Sequence, residues 1–158
     1  MDKCRVDQKI AVLIDGNNLE KSIHTEHNSE NFMVNYDLLV SKLVSTRTLT
    51  KLIYFREGTH ISEKLARRLH QNFFGVVRPC HKSVDIPLTI EAVQMADKID
   101  TIILMSGDSD YIDLVKYLKG RGLRVEVAAV KHSASQYLIS VADSYYELTP
   151  EDCFEFKN

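Results

Sequence analysis

Apolar and polar positions alternate between two periods along this chain. Residues 10–14 (IAVLI) form a continuous apolar, β-branched run, as expected of a strand buried on both faces. The segment 34–44 (VNYDLLVSKLV) repeats its apolar residues at helical spacing, and 49–57 (LTKLIYFRE) reads as a second strand. Residues 62–73 (SEKLARRLHQNF) predict a helix with Ser62 as its N-cap, and 75–79 (GVVRP) a short third strand. A helix follows over 84–98, where Pro87 is tolerated only in the first turn. The strongest strand pattern is 100–107 (DTIILMSG), succeeded by a helix over 109–122 that Gly120 or Gly122 closes. A strand over 123–130, a helix over SASQYLISVAD and a last short strand, YYEL, complete the pattern.

Strand and helix alternating over short connections predict an α/β fold, a mainly parallel sheet with helices on both faces. Nothing in the pattern marks an internal repeat or a linker, so residues 1–158 read as one domain. Right-handed crossovers place the C-terminal ends of the strands along one edge. With the five main strands ordered 3-2-1-4-5, the first strand and 100–105 flank the point where strand order reverses, the place where such sheets bind ligands.

That edge changes the meaning of the acids. Asp15 ends the first strand in VLIDGNNL, Asp108 and Asp110 follow the strongest strand in MSGDSD, and Asp85 opens a helix in HKSVDI. Each has a local reading. Asp15 fits an Asx-turn, Asp108 and Asp85 fit helix caps, and Asp110 fits a first-turn acid favoured by the helix dipole. Together, four carboxylates from three remote segments repel one another, and a hard divalent cation such as Mg²⁺ or Mn²⁺ is the usual reason to keep such a set. Neighbouring residues suit the same purpose. Asn17 and Asn18 can orient ligands or meet a phosphate, Ser106 and Ser109 can bond bound water, and Gly16 and Gly107 allow close backbone approach.

Charge and cysteines add little against this. The formal charge is −2, but setting the four acids aside leaves 18 of 22 against 20 basic residues. Lys82, Arg56, Lys131 and His132 fall near the same edge as candidates for phosphate contact, with Tyr54, Phe55 or Tyr111 as stacking partners for a base. Arg67, Arg68, Lys119 and Arg121 read as solvated faces. Three widely spaced cysteines suggest reduced thiols and a cytoplasmic protein. No apolar run approaches the ~20 residues of a membrane span, and MDKCRVDQK lacks a signal-peptide core. GxGxxG is absent after the first strand, and DGNN lacks the second Asp of an aspartyl phosphatase.

VLIDGNNL, KSVDIPLTIEAV, DTIILMSGDSDYIDLVKYLKGRGLRVEV and SASQYLISVADSYYEL resemble, in that order, the NYN domain family, PIN-like and including the LabA-like proteins. The resemblance spans roughly residues 9–148. It implies a three-layer PIN-like α/β/α fold and a metal-dependent nuclease site, usually acting on RNA. The family acids map to Asp15, Asp85, Asp108 and Asp110, with Asn18 in support. The family often carries Asp in the helix after the VD element, where this chain has Glu91, about 240° round from Asp85, and both a supporting place in the site and a surface position stay open to it. The resulting expectation is phosphodiester hydrolysis of single-stranded RNA with Mg²⁺ or Mn²⁺. The alternative is a catalytically weak domain that docks RNA or a protein. A homodimer or a protein partner would supply the specificity that so short a chain lacks.

Overall fold

The computed structural model describes residue 4 and residues 8–156. The segments 1–3 and 5–7, on which the reading of the N-terminus rests, lie outside the described residues. The chain runs β1 (Lys9–Asp15), α1 (Gly16–His27), β2 (Phe32–Val34), α2 (Tyr36–Val44), β3 (Thr48–Glu57), α3 (Glu63–Phe73) and β4 (Val76–Cys80). It continues with α4 (Asp85–Met95), β5 (Thr101–Met105), α5 (Ile112–Gly120), β6 (Arg124–Val130), α6 (Gln136–Val141), β7 (Ser144–Leu148) and β8 (Cys153–Glu155). Six strands form one sheet in the order β4-β3-β1-β5-β6-β7, and every neighbouring pair is parallel. Its first five strands follow the expected order, with β1 at the centre.

Buried side chains alternate between the two faces of the sheet, as the pleat requires. Ile10, Val12, Ile14, Leu52 and Tyr54 pack with Leu19, Leu39 and Leu69 of α1, α2 and α3. Ala11, Leu13, Ile53, Phe55 and Leu104 pack with Leu88, Val115 and Leu138 of α4, α5 and α6. This gives the three layers. Among the described residues, no helix is long and apolar enough to cross a membrane.

Local chemistry sets the helix boundaries. Ser62 caps α3 by accepting from the Leu65 amide at 3.3 Å. Pro87 sits in the first turn of α4, where its missing N–H leaves no helical bond unmade. Helix α5 closes at Gly120, and Gly122 takes the left-handed conformation with φ of 91°.

Three elements escape the apolar pattern. Helix α1 buries only Gly16, Leu19, Ser22 and Ile23, too thin a stripe to stand out. Strands β2 and β8, three residues each, form a separate antiparallel pair between segments far apart in sequence. Asp152 anchors this pair. Fully buried, its carboxylate accepts from Lys42 Nζ at 2.8 Å, the Tyr146 hydroxyl at 2.9 Å and the Thr149 amide at 2.9 Å. These partners hold its pKa below the usual value, against the opposing effect of burial.

Candidate metal centre

Asp15 ends β1 beside the point where strand order reverses, and its two oxygens do separate work. Oδ1 accepts the Asn18 amide at 3.1 Å and so caps α1. Oδ2 accepts the Tyr111 hydroxyl at 2.9 Å and the Ser106 hydroxyl at 3.5 Å. The capping bond and a place in the acid cluster therefore coexist in one side chain.

Asp108 follows β5 and accepts the Asp110 amide at 2.9 Å, opening the 3-10 turn Ser109–Tyr111 that leads into α5. Asp85 is the first residue of α4. One carboxylate oxygen from each of Asp15, Asp85 and Asp108 falls within 4.8 Å of the others. Burial, a hydrogen bond shared with Asp110 and the charge of Asp108 raise the Asp85 carboxyl from 3.8 to about 6. Asp15, 3 % exposed, is also raised, chiefly by burial. Both shifts mark a pocket in which negative charge is disfavoured unless a cation enters.

Asp110 itself is exposed and stands outside the three-acid group, reaching it through Asp85. Glu91 belongs elsewhere. It pairs with Arg78 at 2.6 Å and Lys51 at 3.1 Å, which lowers its pKa against the effect of burial. Six residues along α4 carry it about 9 Å from Asp85, and Lys51 lies in the first half of β3, away from the acid edge. Of the two places open to Glu91, the structure shows it held by these two cations and outside the three-acid group.

The asparagines brace the backbone. Asn17 Oδ1 accepts the Glu57 amide at 2.7 Å, and Asn18 Oδ1 accepts the Gly107 amide at 3.0 Å. The first joins the end of β1 to β3, the second to the loop after β5. Ser106, fully buried, accepts the Asp108 amide at 3.2 Å, whereas Ser109 is exposed. Gly16 and Gly107 are small because protein packs on them. A Cβ on Gly16 would press into the Tyr54 ring and lie 2.8 Å from the Phe55 carbonyl, and one on Gly107 would lie 2.8 Å from Ala134 Cα.

Among the expected phosphate contacts, Lys82 and Lys131 are exposed. Arg56 instead pairs with Glu20 and lies 3.5 Å from the Tyr54 hydroxyl. His132 Nε2 lies 3.6 Å from Glu26. Tyr54, Phe55 and Tyr111 are all buried, at 3 %, 0 % and 0 % exposure, and so are closed to a stacking base.

Tyr111 has a different place. Its side chain lies among the apolar residues under α4 and α5, and only its hydroxyl reaches the acids. Burial beside Asp15 and Asp85 keeps that phenol protonated, hence a donor, far above its usual pKa. A tyrosine at a helical apolar position signals core packing, and only the folded chain shows which acid it meets. Tyr111→Phe is expected to lower stability by about 1.5–3 kcal/mol, the range for a bond to a charged group. Its unfolding midpoint in denaturant, compared with wild type, measures this. An unchanged midpoint would show that the bond contributes nothing.

A crystal structure of a protein of unknown function from Vibrio parahaemolyticus superposes with a TM-score of 0.80 at 21% identity, covering 97% of this chain and 100% of the other. At that identity the likeness shows the fold alone. A pyrazinamidase/nicotinamidase from Streptococcus mutans, 10% identical over 91% of this chain and 90% of its own, reaches a TM-score of only 0.39 and carries no weight. A search of curated proteins matched nothing. The model of the NYN domain matches residues 9–149, which includes every acid of the cluster and nearly the whole chain, and the protein belongs to the NYN domain family.

Proposed function

We propose that the protein is a metal-dependent ribonuclease that hydrolyses phosphodiester bonds in single-stranded RNA, with Asp15, Asp85 and Asp108 as ligands for Mg²⁺ or Mn²⁺. Membership of the NYN family implies a PIN-like nuclease, and the observation that carries the finer reading is the meeting of three remote carboxylates within 4.8 Å. The donor set fits a hard divalent cation: it is all oxygen and anionic, and the Asp15 and Asp85 carboxyls are raised in pKa, chiefly by burial. When bound, such an ion supplies Lewis acidity that activates water and offsets charge developing on the phosphate oxygens.

The chain's own residues set up the rest. Tyr111 and Ser106 fix the orientation of Asp15, and the cap on α1 leaves that carboxylate little freedom to turn away. Asp110, exposed and within hydrogen-bond reach of Asp85, is placed to orient an attacking water and take its proton. Lys82 and Lys131 offer exposed charge to the substrate backbone.

A second reading, an RNA- or protein-binding domain of weak activity, draws support from the backbone amides that Asp15 and Asp108 already accept. Incubating end-labelled RNA with Mn²⁺ and either wild type or Asp108→Asn separates the two. The expected result is cleavage by the wild type and none by the variant. Equal cleavage by both overturns the assignment of the acids. RNA binding that ignores metal, with no cleavage by either, supports the binding reading.

A further inference from the structure

On the other face of the sheet from the acid cluster, α1, α3 and the β2–β8 pair enclose a cavity of about 410 Å³, within the usual range for small-ligand sites. Its lining holds two kinds of residue. Tyr36 and Tyr54, packed edge to face at 5.7 Å, are buried at the base, while Phe154 and Phe156 are 37% and 48% exposed at the rim. The same lining carries His60, Lys64 and Arg68, the last two one turn apart on α3. Like charges at that spacing repel.

The acids that line the cavity do not balance these cations. Glu20 is taken by Arg56, which leaves one lining carboxylate, Asp37, hydrogen-bonded to the neutral Asn72 amide at 2.8 Å, against both Lys64 and Arg68. Among the described residues, neither Lys64 nor Arg68 has a carboxylate within ion-pairing distance. Exposed aromatic rings sharing a lining with cations that have no ion pair among the described residues suit a ligand with a flat face and a negative charge, which is the chemistry of a nucleotide.

Position links the cavity to the acids. Arg56 and Glu20 form part of its lining, and Arg56 is the residue after Phe55, which pairs in register with Asp15 on the adjacent strand. The end of β3 thus joins the cavity lining to the strand end that carries Asp15.

We propose that this cavity holds one nucleotide of a single RNA strand, its base on the exposed rings of Phe154 and Phe156 and its phosphate on Lys64 and Arg68, while the continuing strand reaches the acid cluster. The identity of the strand rests on the nuclease reading above; the aromatic and cationic lining does not.

The test is the anisotropy of a short, end-labelled, single-stranded RNA in EDTA, so that binding is read without cleavage. Phe156→Ala is expected to weaken binding about tenfold, the loss of one stacked base. Lys64→Ala with Arg68→Ala is expected to weaken it comparably and to flatten its dependence on salt. Arg67→Ala, exposed on the same helix but outside the cavity lining, is expected to bind as wild type. All four residues are exposed, and circular dichroism confirms folding of each variant.

Cavity variants that bind like wild type overturn the proposal, as does an Arg67→Ala loss equal to theirs. A free mononucleotide that displaces the RNA when present at the RNA's own dissociation constant overturns the assignment to a strand. Cleavage of the same RNA with Mn²⁺ is followed in parallel. Cleavage that needs Asp108 together with binding indifferent to the cavity overturns this proposal alone. Cavity-dependent binding without any cleavage overturns the nuclease reading alone.

Discussion

Asp85→Asn is expected to lose at least about a hundredfold in cleavage rate and, without metal, to melt several degrees above wild type. Both effects come from one cause. In the folded protein the Asp85 carboxyl titrates at about 6 rather than 3.8, so its charge is less welcome there than in the unfolded chain. Between these values the unfolded chain has released a proton that the folded chain keeps, and stability therefore falls as pH rises through the window. Above about 6 the penalty is fully present; below about 4 it is absent.

Allowing for the partial exposure of the group, the penalty amounts to about 1–2 kcal/mol, or roughly 3–6 °C for a chain of this size. The asparagine variant escapes it. Its advantage over wild type should appear in melting curves at neutral pH and vanish near pH 4. Addition of Mn²⁺ should raise the melting temperature of the wild type far more than that of the variant. A variant that melts no higher than wild type at neutral pH would show that the carboxylates tolerate one another without a cation.

The second large effect is expected at Gly16. Gly16→Ala should destabilise the protein by about 2–3 kcal/mol, the upper part of the range for overpacking, and lower its melting temperature by roughly 5–10 °C. Alanine is the better helix former by up to about 1 kcal/mol, so the steric effect must win for this outcome. It should, because the Phe55 carbonyl 2.8 Å from the new Cβ is backbone in the sheet and cannot swing aside. Relief requires α1 to shift against β3, which breaks the bond from the Asn18 amide to Asp15 and moves that carboxylate. Cleavage should fall with stability. Gly120→Ala, where a Cβ meets nothing within 4 Å, is the matched control and should melt no lower than wild type. Equal melting of Gly16→Ala and wild type would show that the two layers slide freely here.

Much of this arrangement was legible in residue order. Continuous β-branched runs mark β1 and β5 because strands covered on both faces have no solvent side to record. The ends of those strands place Asp15 and Asp108 together as soon as the order of strands is granted. Less legible were contacts made by single atoms across the fold. Nothing near Glu91 announces that Lys51, forty residues earlier, will draw it off, and the hydroxyl of Tyr111 is silent in a periodicity that registers only its ring. The cavity was hidden for a related reason, since β2 and β8 are too short to show a period and each is stable only against the other.

The pairing of β2 with β8 also sets an order of assembly. During synthesis the segments that carry the acids and Tyr111 have all emerged by residue 111, and the strands beside β1 are then available to it. The aromatic rim waits for Phe154 and Phe156, and its anchor for Asp152 to find Lys42, 110 residues upstream. A chain growing from its N-terminus thus has the means to gather its carboxylates well before it can close the chamber behind them.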